Sequence, residues 1–281
     1  MDTESRKQEL ILSDLFIHIF RLAVQQAGHL ALRLQGEVRL EHKTGANSPE
    51  SAALTSVDLA IQDVVLHLLL HRLGGAALDA EEETELTGLF PAPAPGRPLI
   101  VLDPVDGTLN YAENSQDYAI MGALLLDGLY LASVIHFPAW GRTYWAQRDV
   151  GAWLQTHREA PRQIGIEEPP ATVLIPPKSF QPAQDSLQGS GYSVVQSRCS
   201  AVDATAPVSG RGCGSLSLVP LDRRRAIGFL ITAEAGGSVL LAGQPWAGDD
   251  PETLSKSSAP AVVADSHETA ARLSSLLDCA T

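Results

Sequence analysis

The sequence predicts an α/β fold of the α+β kind, and three features of the chain carry that prediction. Residues 5–34 have apolar side chains at helical spacing, which is typical of a long amphipathic helix. The wholly apolar run Leu99–Leu102 is typical of a buried strand. Four apolar or alternating runs between Tyr118 and Leu154 indicate antiparallel strands. Helices and both kinds of strand therefore share one chain of 281 residues.

The composition narrows the class of protein. The chain is 44% hydrophobic and 19% charged, with a formal net charge of -13, which argues against a nucleic-acid partner because phosphate backbones need clustered Lys and Arg. Its three cysteines have no C-x-x-C spacing, so we expect a reducing compartment and no zinc site. The N-terminus is too polar for a signal peptide, and no apolar run is expected to reach membrane-spanning length. These features predict a cytoplasmic protein without a membrane partner.

The elements ahead of the central motif follow from local signals. The amphipathic helix over 5–34 is expected to cover the core. Residues 36–54 are polar and broken by glycine and proline, which predicts a loop. A second helix is predicted from Leu59 to Leu73, with Ser56 or Asp58 as a candidate N-cap. A short strand follows over Ala76–Ala80, and residues 84–97 are expected to form a surface loop.

The central motif begins at the end of the buried strand. The sequence Asp103-Pro104-Val105-Asp106-Gly107-Thr108 places two carboxylates within four positions, and the strand is expected to stop at Pro104. Buried carboxylates are costly unless a cation neutralises them, and Mg²⁺ prefers carboxylate and carbonyl oxygens. Gly107 and Thr108 indicate a helix start, whose free N–H groups suit an anion. The motif therefore predicts phosphate chemistry at a metal site, although an Asx turn that caps an ordinary helix would explain one of the two aspartates.

After Thr108 the chain continues with a leucine, Asn110 and Tyr111. Together with the motif, these residues resemble the signature of the inositol monophosphatase family, which consists of Mg²⁺-dependent, lithium-sensitive phosphomonoesterases. The resemblance implies a layered αβαβα sandwich, a homodimer, a small phosphorylated substrate and inhibition by Li⁺. It also implies a loop lysine near a further metal, for which Lys43 is a candidate.

The resemblance assigns roles to individual residues. Asp58 would accept a hydrogen bond from Thr108, so that the threonine hydroxyl is oriented toward the attacking water. The run Glu81-Glu82-Glu83 would otherwise be a solvated acidic face. By resemblance, Glu81 would be a metal ligand and Glu82 would assist the water, with the register open by one position. The implied metal ligands are Glu81, Asp103, the Val105 carbonyl and Asp106, and the implied substrate-binding residues are Gly107, Thr108 and Arg224.

The chain after the motif is predicted to complete one lobe and form another. Antiparallel strands are expected over Tyr118–Leu126, Leu129–Phe137, Thr143–Gln147 and Gly151–Leu154, with a two-residue hairpin at Asp127-Gly128. Residues 156–170 are a candidate hinge. The predicted lobes are therefore 1–155, which holds the metal and phosphate site, and 156–281, which is shorter than in the family; residues 176–212 carry little periodicity.

One departure from the family pattern bears on activity. The family has Trp-Asp ahead of its Glu-Ala-Gly-Gly helix end, and that aspartate is a metal ligand. Counted back from the same Glu-Ala-Gly-Gly helix end in this chain, the Trp-Asp positions are occupied by Arg223 and Arg224. An element of roughly 15 residues is expected to be deleted ahead of them. Asp222 is two positions early, which turns its side chain about 200° away at about 100° per residue.

Three functions remain open at this point. The first is Mg²⁺-dependent hydrolysis of a small phosphomonoester, such as an inositol or sugar phosphate. The second is a weak or inactive relative that binds a phosphorylated ligand or a protein partner, because Arg224 would repel a cation yet suit a phosphate. The third is a 3'(2'),5'-bisphosphate nucleotidase, which the Asn110-Tyr111 pair disfavours.

Overall fold

The computed structural model describes residues 3–36, 40–42, 53–157, 159–252 and 260–278. Two helices come first, α1 (Thr3–Leu34) and α2 (Ser56–Leu73), and a two-stranded antiparallel sheet of β1 (Leu40–His42) and β2 (Ala53–Thr55) lies between them in sequence. Both helices were predicted, and both begin a few residues earlier than their apolar stripes indicated. Their buried side chains pack on one face of the large sheet.

The large sheet has seven strands in the order β3 to β9. Its strands are β3 (Ala77–Ala80), β4 (Leu99–Asp106), β5 (Ala119–Leu126), β6 (Leu129–Phe137), β7 (Arg142–Gln147), β8 (Gly151–Thr156) and β9 (Arg162–Ile164). Only β3 and β4 pair in parallel, and the remaining neighbours in the sheet are antiparallel. The predicted hairpin at Asp127-Gly128 is confirmed, and both residues have positive φ, as a two-residue hairpin turn requires. Because β9 pairs with β8, this sheet extends into the predicted hinge, beyond residue 155.

Strand β4 differs from its prediction in an informative way. It continues through Pro104 to Asp106, with a register shift against β5 between Asp103 and Asp106. The shift lets proline sit in the strand without the ladder hydrogen bond that it cannot donate. The predicted helix start is confirmed as α3 (Thr108–Ala112), with Gly107 at its N-cap at φ 88°. The register shift and the left-handed Gly107 together place residues 103–108 at the carboxyl end of β4, where the strand leaves the sheet.

The second sheet has six strands in the order β11-β10-β12-β15-β13-β14. Its strands are β10 (Thr172–Ile175), β11 (Ser193–Gln196), β12 (Gly214–Ser217), β13 (Ser238–Leu241), β14 (Gln244–Pro245) and β15 (Ala261–Ala264). The helices of this half are α4 (Pro177–Leu187), α5 (Ser200–Ala204), α6 (Ala206–Ser209), α7 (Phe229–Glu234) and α8 (His267–Asp278). The stretch 176–212, which carries little periodicity, thus contains a strand and three helices.

Three apolar clusters define the layers. Along β5, Ile120 and Leu124 face α1 and α2, whereas Ala119 and Met121 face the helices between the two sheets. The outer face of the second sheet packs against α4 and α8. Because both faces of the central strands are apolar, each sheet is covered on both sides. The order helix, sheet, helix, sheet, helix confirms the predicted layered sandwich.

Helix α1 is long and apolar enough, by length and composition, to cross a membrane. The expectation that no apolar stretch reaches that length is therefore wrong. One face of the helix nevertheless packs into the core, where Phe16, Phe20, Ala23 and Val24 are fully buried. Since core helices meet the same criterion, α1 is weak evidence for a membrane span.

A buried histidine makes stability depend on pH. His136 on β6 is 4% exposed, and its Nδ1 lies 2.9 Å from Thr143 Oγ1. Burial, reinforced by the nearby His157 and His29, lowers the pKa of His136 from 6.5 to about 3. A folded-state pKa below the unfolded value means that the unfolded chain binds the proton first, so stability is present above about pH 6.5 and declines as pH falls.

We expect this histidine to remove up to about 1.4 kcal/mol of unfolding free energy per pH unit below about pH 6.5. Urea unfolding of the wild type and His136→Gln between about pH 7 and pH 5 measures it, and the variant should show the shallower loss. His67→Gln, at an exposed position of α2, is the matched control. Parallel pH profiles for His136→Gln and the wild type would contradict the assignment.

Candidate active site

A cavity of about 460 Å³ opens where the large sheet meets the second half of the chain, and we call it the large cavity. Its walls include the ends of β3 and β4, the start of α3, the start of α5 and the turn before α7. The predicted site residues on its wall are Glu81, Asp103, Val105, Asp106, Gly107, Thr108 and Arg224. The parallel pairing of β3 with β4 explains why Glu81 and Asp103 meet, since both follow strands that end at the same edge.

Asp103 is a buried carboxyl in the wall of this cavity, close to other acidic side chains. It is 6% exposed, and its Oδ1 accepts a hydrogen bond from the Val105 N–H at 3.1 Å. Burial raises the pKa of the Asp103 carboxyl well above 3.8, and the charges of Glu81 and Asp106 raise it further, while Arg224 opposes them. The site therefore favours a proton or a cation next to Asp103.

The hydrogen bond predicted between Thr108 and Asp58 is present. Thr108 Oγ1 has two acceptors in range, Asp58 Oδ1 at 3.2 Å and the Val105 carbonyl at 3.0 Å. Asp58 is 1% exposed and lies in the first turn of α2, so the helix start also favours its negative charge. The geometry fixes the threonine hydroxyl at the cavity wall.

Asp106 has a role that the sequence did not indicate. Its Oδ1 accepts hydrogen bonds from the Ser200 N–H at 3.2 Å and the Ser200 hydroxyl at 2.9 Å. Its Oδ2 accepts from the Ala201 N–H at 2.6 Å and the Cys199 thiol at 2.9 Å. Burial raises the pKa of the Asp106 carboxyl, and these four donors partly offset that rise. Asp106 thus caps α5 and joins the two halves of the chain.

The two glutamates after β3 separate in space. Glu81 lines the large cavity, whereas Glu82 lines a second cavity of about 330 Å³, the small cavity, together with Asp79 and Arg223. Buried Gln62 holds the Glu82 backbone, because its Oε1 accepts from the Glu82 N–H at 3.1 Å and its Nε2 donates to the Glu82 carbonyl at 2.5 Å. This placement supports Glu81 as the ligand candidate and argues against Glu82 as the residue that assists the water.

Arg224, rather than Asp222, faces the carboxylates of the site. Burial alone would lower the pKa of the Arg224 guanidinium, but the carboxylates of Asp222, Glu81, Asp103 and Asp79 raise it. Asp222 also lines the large cavity, yet its Oδ1 accepts from the Arg225 N–H at 2.9 Å and so caps the local turn. The position that holds an acidic ligand in the family, according to the resemblance, therefore presents a cation here, as predicted.

Comparison with known proteins agrees with this geometry. The model of the inositol monophosphatase family matches residues 13–203. The chain belongs to the inositol monophosphatase family. It is 31% identical to "Probable inositol 1-monophosphatase ImpA" of Mycobacterium tuberculosis over 214 residues, which are 68% of this chain and 73% of that protein. It is also 30% identical to the Mycobacterium tuberculosis protein named histidinol-phosphatase over 118 residues, 42% of this chain and 43% of that protein.

The solved structure of the extragenic suppressor protein SuhB from Bartonella henselae shares the fold, with a TM-score of 0.74 at 19% identity over 93% of this chain and 97% of that chain. Several curated relatives match over less than half of their own length, from 34% to 48%. Membership of the family and its fold are thereby shown, and the two Mycobacterium tuberculosis relatives are named as phosphatases.

The near-complete overlap with the SuhB structure bears on the expected deletion. Helices α5 and α6 and then β12 occupy residues 200–217, so a helix and a strand do precede Arg223-Arg224. The deletion of roughly 15 residues ahead of this pair stays a prediction.

The residues present fit one metal ion better than two. Glu81, Asp103 and the Val105 carbonyl are hard oxygen donors on one wall, and Asp103 is a buried carboxyl that a cation would stabilise. A second ion does not fit, because Asp106 is engaged by α5 and Arg224 adds positive charge. Within the described ranges, no three His, Cys, Asp or Glu side chains form a metal-binding group.

Sequence reasoning missed the wall that α4 and α5 supply. The residues of this wall are Lys178, Ser197, Arg198, Cys199, Ser200 and Asp203. A local signal existed, because Ser200-x-x-Asp203 has the spacing of a capping box at a helix start. Lys43, the candidate for a further metal, lies outside the described residues.

Proposed function

We propose that this chain hydrolyses a small phosphomonoester in the large cavity. The observation that carries the proposal is that Glu81, Asp103, Val105, Thr108 and Arg224 line one cavity in a member of a phosphatase family. Glu81, Asp103 and the Val105 carbonyl would hold Mg²⁺, which when bound supplies a water of lowered pKa as nucleophile.

The chain's own groups would prepare the substrate for attack. Asp58 holds the Thr108 hydroxyl at 3.2 Å, so that Thr108 can orient a water at the cavity wall. The N–H groups of Gly107 and Thr108 at the start of α3 would donate to phosphoryl oxygens, and Arg224 on the wall of the same cavity would supply charge-assisted donors. A guanidinium does this without a second metal ion.

A second candidate, binding of a phosphorylated ligand with little turnover, is favoured by Arg224 itself. Where a second ion would stabilise the leaving oxygen, a guanidinium neutralises charge but does not coordinate that oxygen as a metal does. Binding would then survive while the chemical step slows. The bisphosphate nucleotidase alternative becomes one substrate class in the test.

Phosphate release from inositol, sugar, histidinol and nucleotide phosphates, with Mg²⁺ or with EDTA, tests the proposal. We expect release from at least one phosphomonoester with Mg²⁺ and none with EDTA. Ligand binding by calorimetry without release from any compound would favour the second candidate. Neither release nor binding, in a protein whose melting temperature no divalent cation raises, would contradict both.

Three further properties are proposed, the first and the last on the resemblance and the second on the cysteine pattern and the polar N-terminus. We infer that the chain forms a homodimer, that it works in the cytoplasm and that Li⁺ inhibits it. Size-exclusion chromatography with light scattering measures the first of these directly.

A further inference from the structure

Arg224 is held in place by a chain of ion pairs that runs away from the large cavity. Its Nη1 lies 3.3 Å from Asp79 Oδ1, while the other oxygen of the same carboxylate, Asp79 Oδ2, lies 3.1 Å from Arg223 Nη1. Asp79 therefore bridges two consecutive arginines. It is the last but one residue of β3, so the bridge is tied to the large sheet.

Arg223 anchors the outer end of this series of ion pairs. Its Nε lies 2.6 Å from Asp250 Oδ2, and its Nη1 lies 2.9 Å from the Glu252 carboxylate. Asp250 is 2% exposed, and the Tyr130 hydroxyl donates to the Arg223 carbonyl at 2.7 Å. Partly buried pairs of this kind are screened less than surface pairs, so they can fix a side chain. The backbone before Arg224 is thus held by two elements of the fold.

The two arginines face different cavities. Arg224 lines the large cavity near Asp103 and Glu81, whereas Arg223 lines the small cavity with Asp79. Of these two arginines, Arg224 is therefore the one placed to reach a ligand in the large cavity. Asp79 touches both guanidinium groups from the β3 side and lines only the small cavity, so it acts on the ligand through Arg224.

We propose that Arg224 is a fixed cation that binds the phosphoryl oxygens in place of a second metal ion, and that Asp79 is its positioning residue. The inference rests on the proposed function for its ligand class. It adds that the large cavity takes a phosphomonoester with one divalent cation per chain. An immobilised guanidinium offers paired donors that match phosphate oxygens, and its pre-organisation lowers the entropy lost on binding.

The first test is calorimetric titration of inorganic phosphate into the full chain at saturating Mg²⁺. We expect Arg224→Gln to weaken phosphate binding at least about tenfold, as loss of a charge-assisted contact implies. Arg224→Lys, which keeps the charge, should retain more affinity than Arg224→Gln. Asp79→Asn should weaken phosphate binding several-fold while Mg²⁺ affinity without phosphate stays at the wild-type value.

The second test counts metal ions with Mn²⁺ by electron paramagnetic resonance in the presence of phosphate. One bound Mn²⁺ per chain is expected, for the wild type and for Arg224→Gln. Arg72→Gln and Asp14→Asn, at exposed positions of α2 and α1, are the matched controls. Melting temperatures show whether each variant is folded.

Two or more Mn²⁺ ions per wild-type chain would overturn the inference. So would phosphate affinity in folded Arg224→Gln and Arg224→Lys that equals the wild-type value. Both experiments run without turnover, so an absence of hydrolysis would reject the proposed activity and leave this inference standing. Conversely, if the wild type hydrolyses a phosphomonoester and the Arg224 variants bind phosphate as tightly as the wild type, only the inference is rejected.

Discussion

Asp103→Asn is expected to abolish phosphate release and, at the same time, to stabilise the metal-free protein. The carboxylate is the central oxygen donor of the proposed ion site, so its loss should lower kcat at least about a hundredfold, as loss of one preorganised electrostatic group commonly does. Phosphate release with Mg²⁺ measures this effect.

The stability change follows from the raised pKa of Asp103. A carboxyl whose folded-state pKa lies above the unfolded value of 3.8 is disfavoured as an anion in the folded protein. Its favourable contribution is present at low pH and is lost as pH rises through the folded pKa. Asparagine removes that charge, so the melting temperature in EDTA at neutral pH should rise above the wild-type value.

Asp106→Asn is the matched comparison, because it lies on the same strand and should act in the opposite direction. Its carboxylate accepts four hydrogen bonds from residues 199–201, and an amide keeps only one acceptor oxygen. We expect a loss of about 1–3 kcal/mol of unfolding free energy from the unpaired donors. Equal stability changes for the two variants would contradict this division of roles.

The parts of the fold that were predictable are those with a strong local signal. Helix α1 has a long apolar stripe, and the β5–β6 hairpin has two apolar runs around Asp127-Gly128, so neighbours in sequence determine each structure. The extension of β4 past Pro104 was not predictable, because it depends on a register shift against β5. The secondary structure of residues 176–212 was not predictable for a similar reason, because its short elements are stabilised mainly by tertiary packing.

The candidate site likewise has contacts that the local sequence predicts and contacts that depend on the tertiary structure. Asp103, Val105, Gly107 and Thr108 lie in one motif, so their proximity follows from the chain itself. The contacts of Asp106 with Cys199 and Ser200 join residues 93 and 94 positions apart, and no spacing rule connects them. The Glu81–Glu82 register likewise depends on Gln62, whose side chain fixes which glutamate faces the large cavity.

Gly122 in the middle of β5 gives the largest expected loss of stability. A Cβ there would lie 2.2 Å from Phe20 Cζ and 2.8 Å from the Val101 carbonyl oxygen. Phe20 is fully buried in α1 and stacks on Phe16 with ring centroids 5.0 Å apart, so the ring has no free volume to move into. A glycine inside an apolar strand often marks such a close approach, and here it lets α1 lie directly on the sheet.

Gly122→Ala is therefore expected to cost about 3 kcal/mol of unfolding free energy, the upper range for overpacking a core. Gly75→Ala is the matched control, since a Cβ at exposed Gly75 meets no atom within 4 Å, and it should change stability by less than about 0.5 kcal/mol. Urea unfolding of both variants measures the difference. Since Gly122 pairs with Leu102, one residue before Asp103, the displaced strand should also lower phosphate release. Equal stability of the two variants would show that α1 can move away from β5, and that the long N-terminal helix does not fix the strand that carries the site.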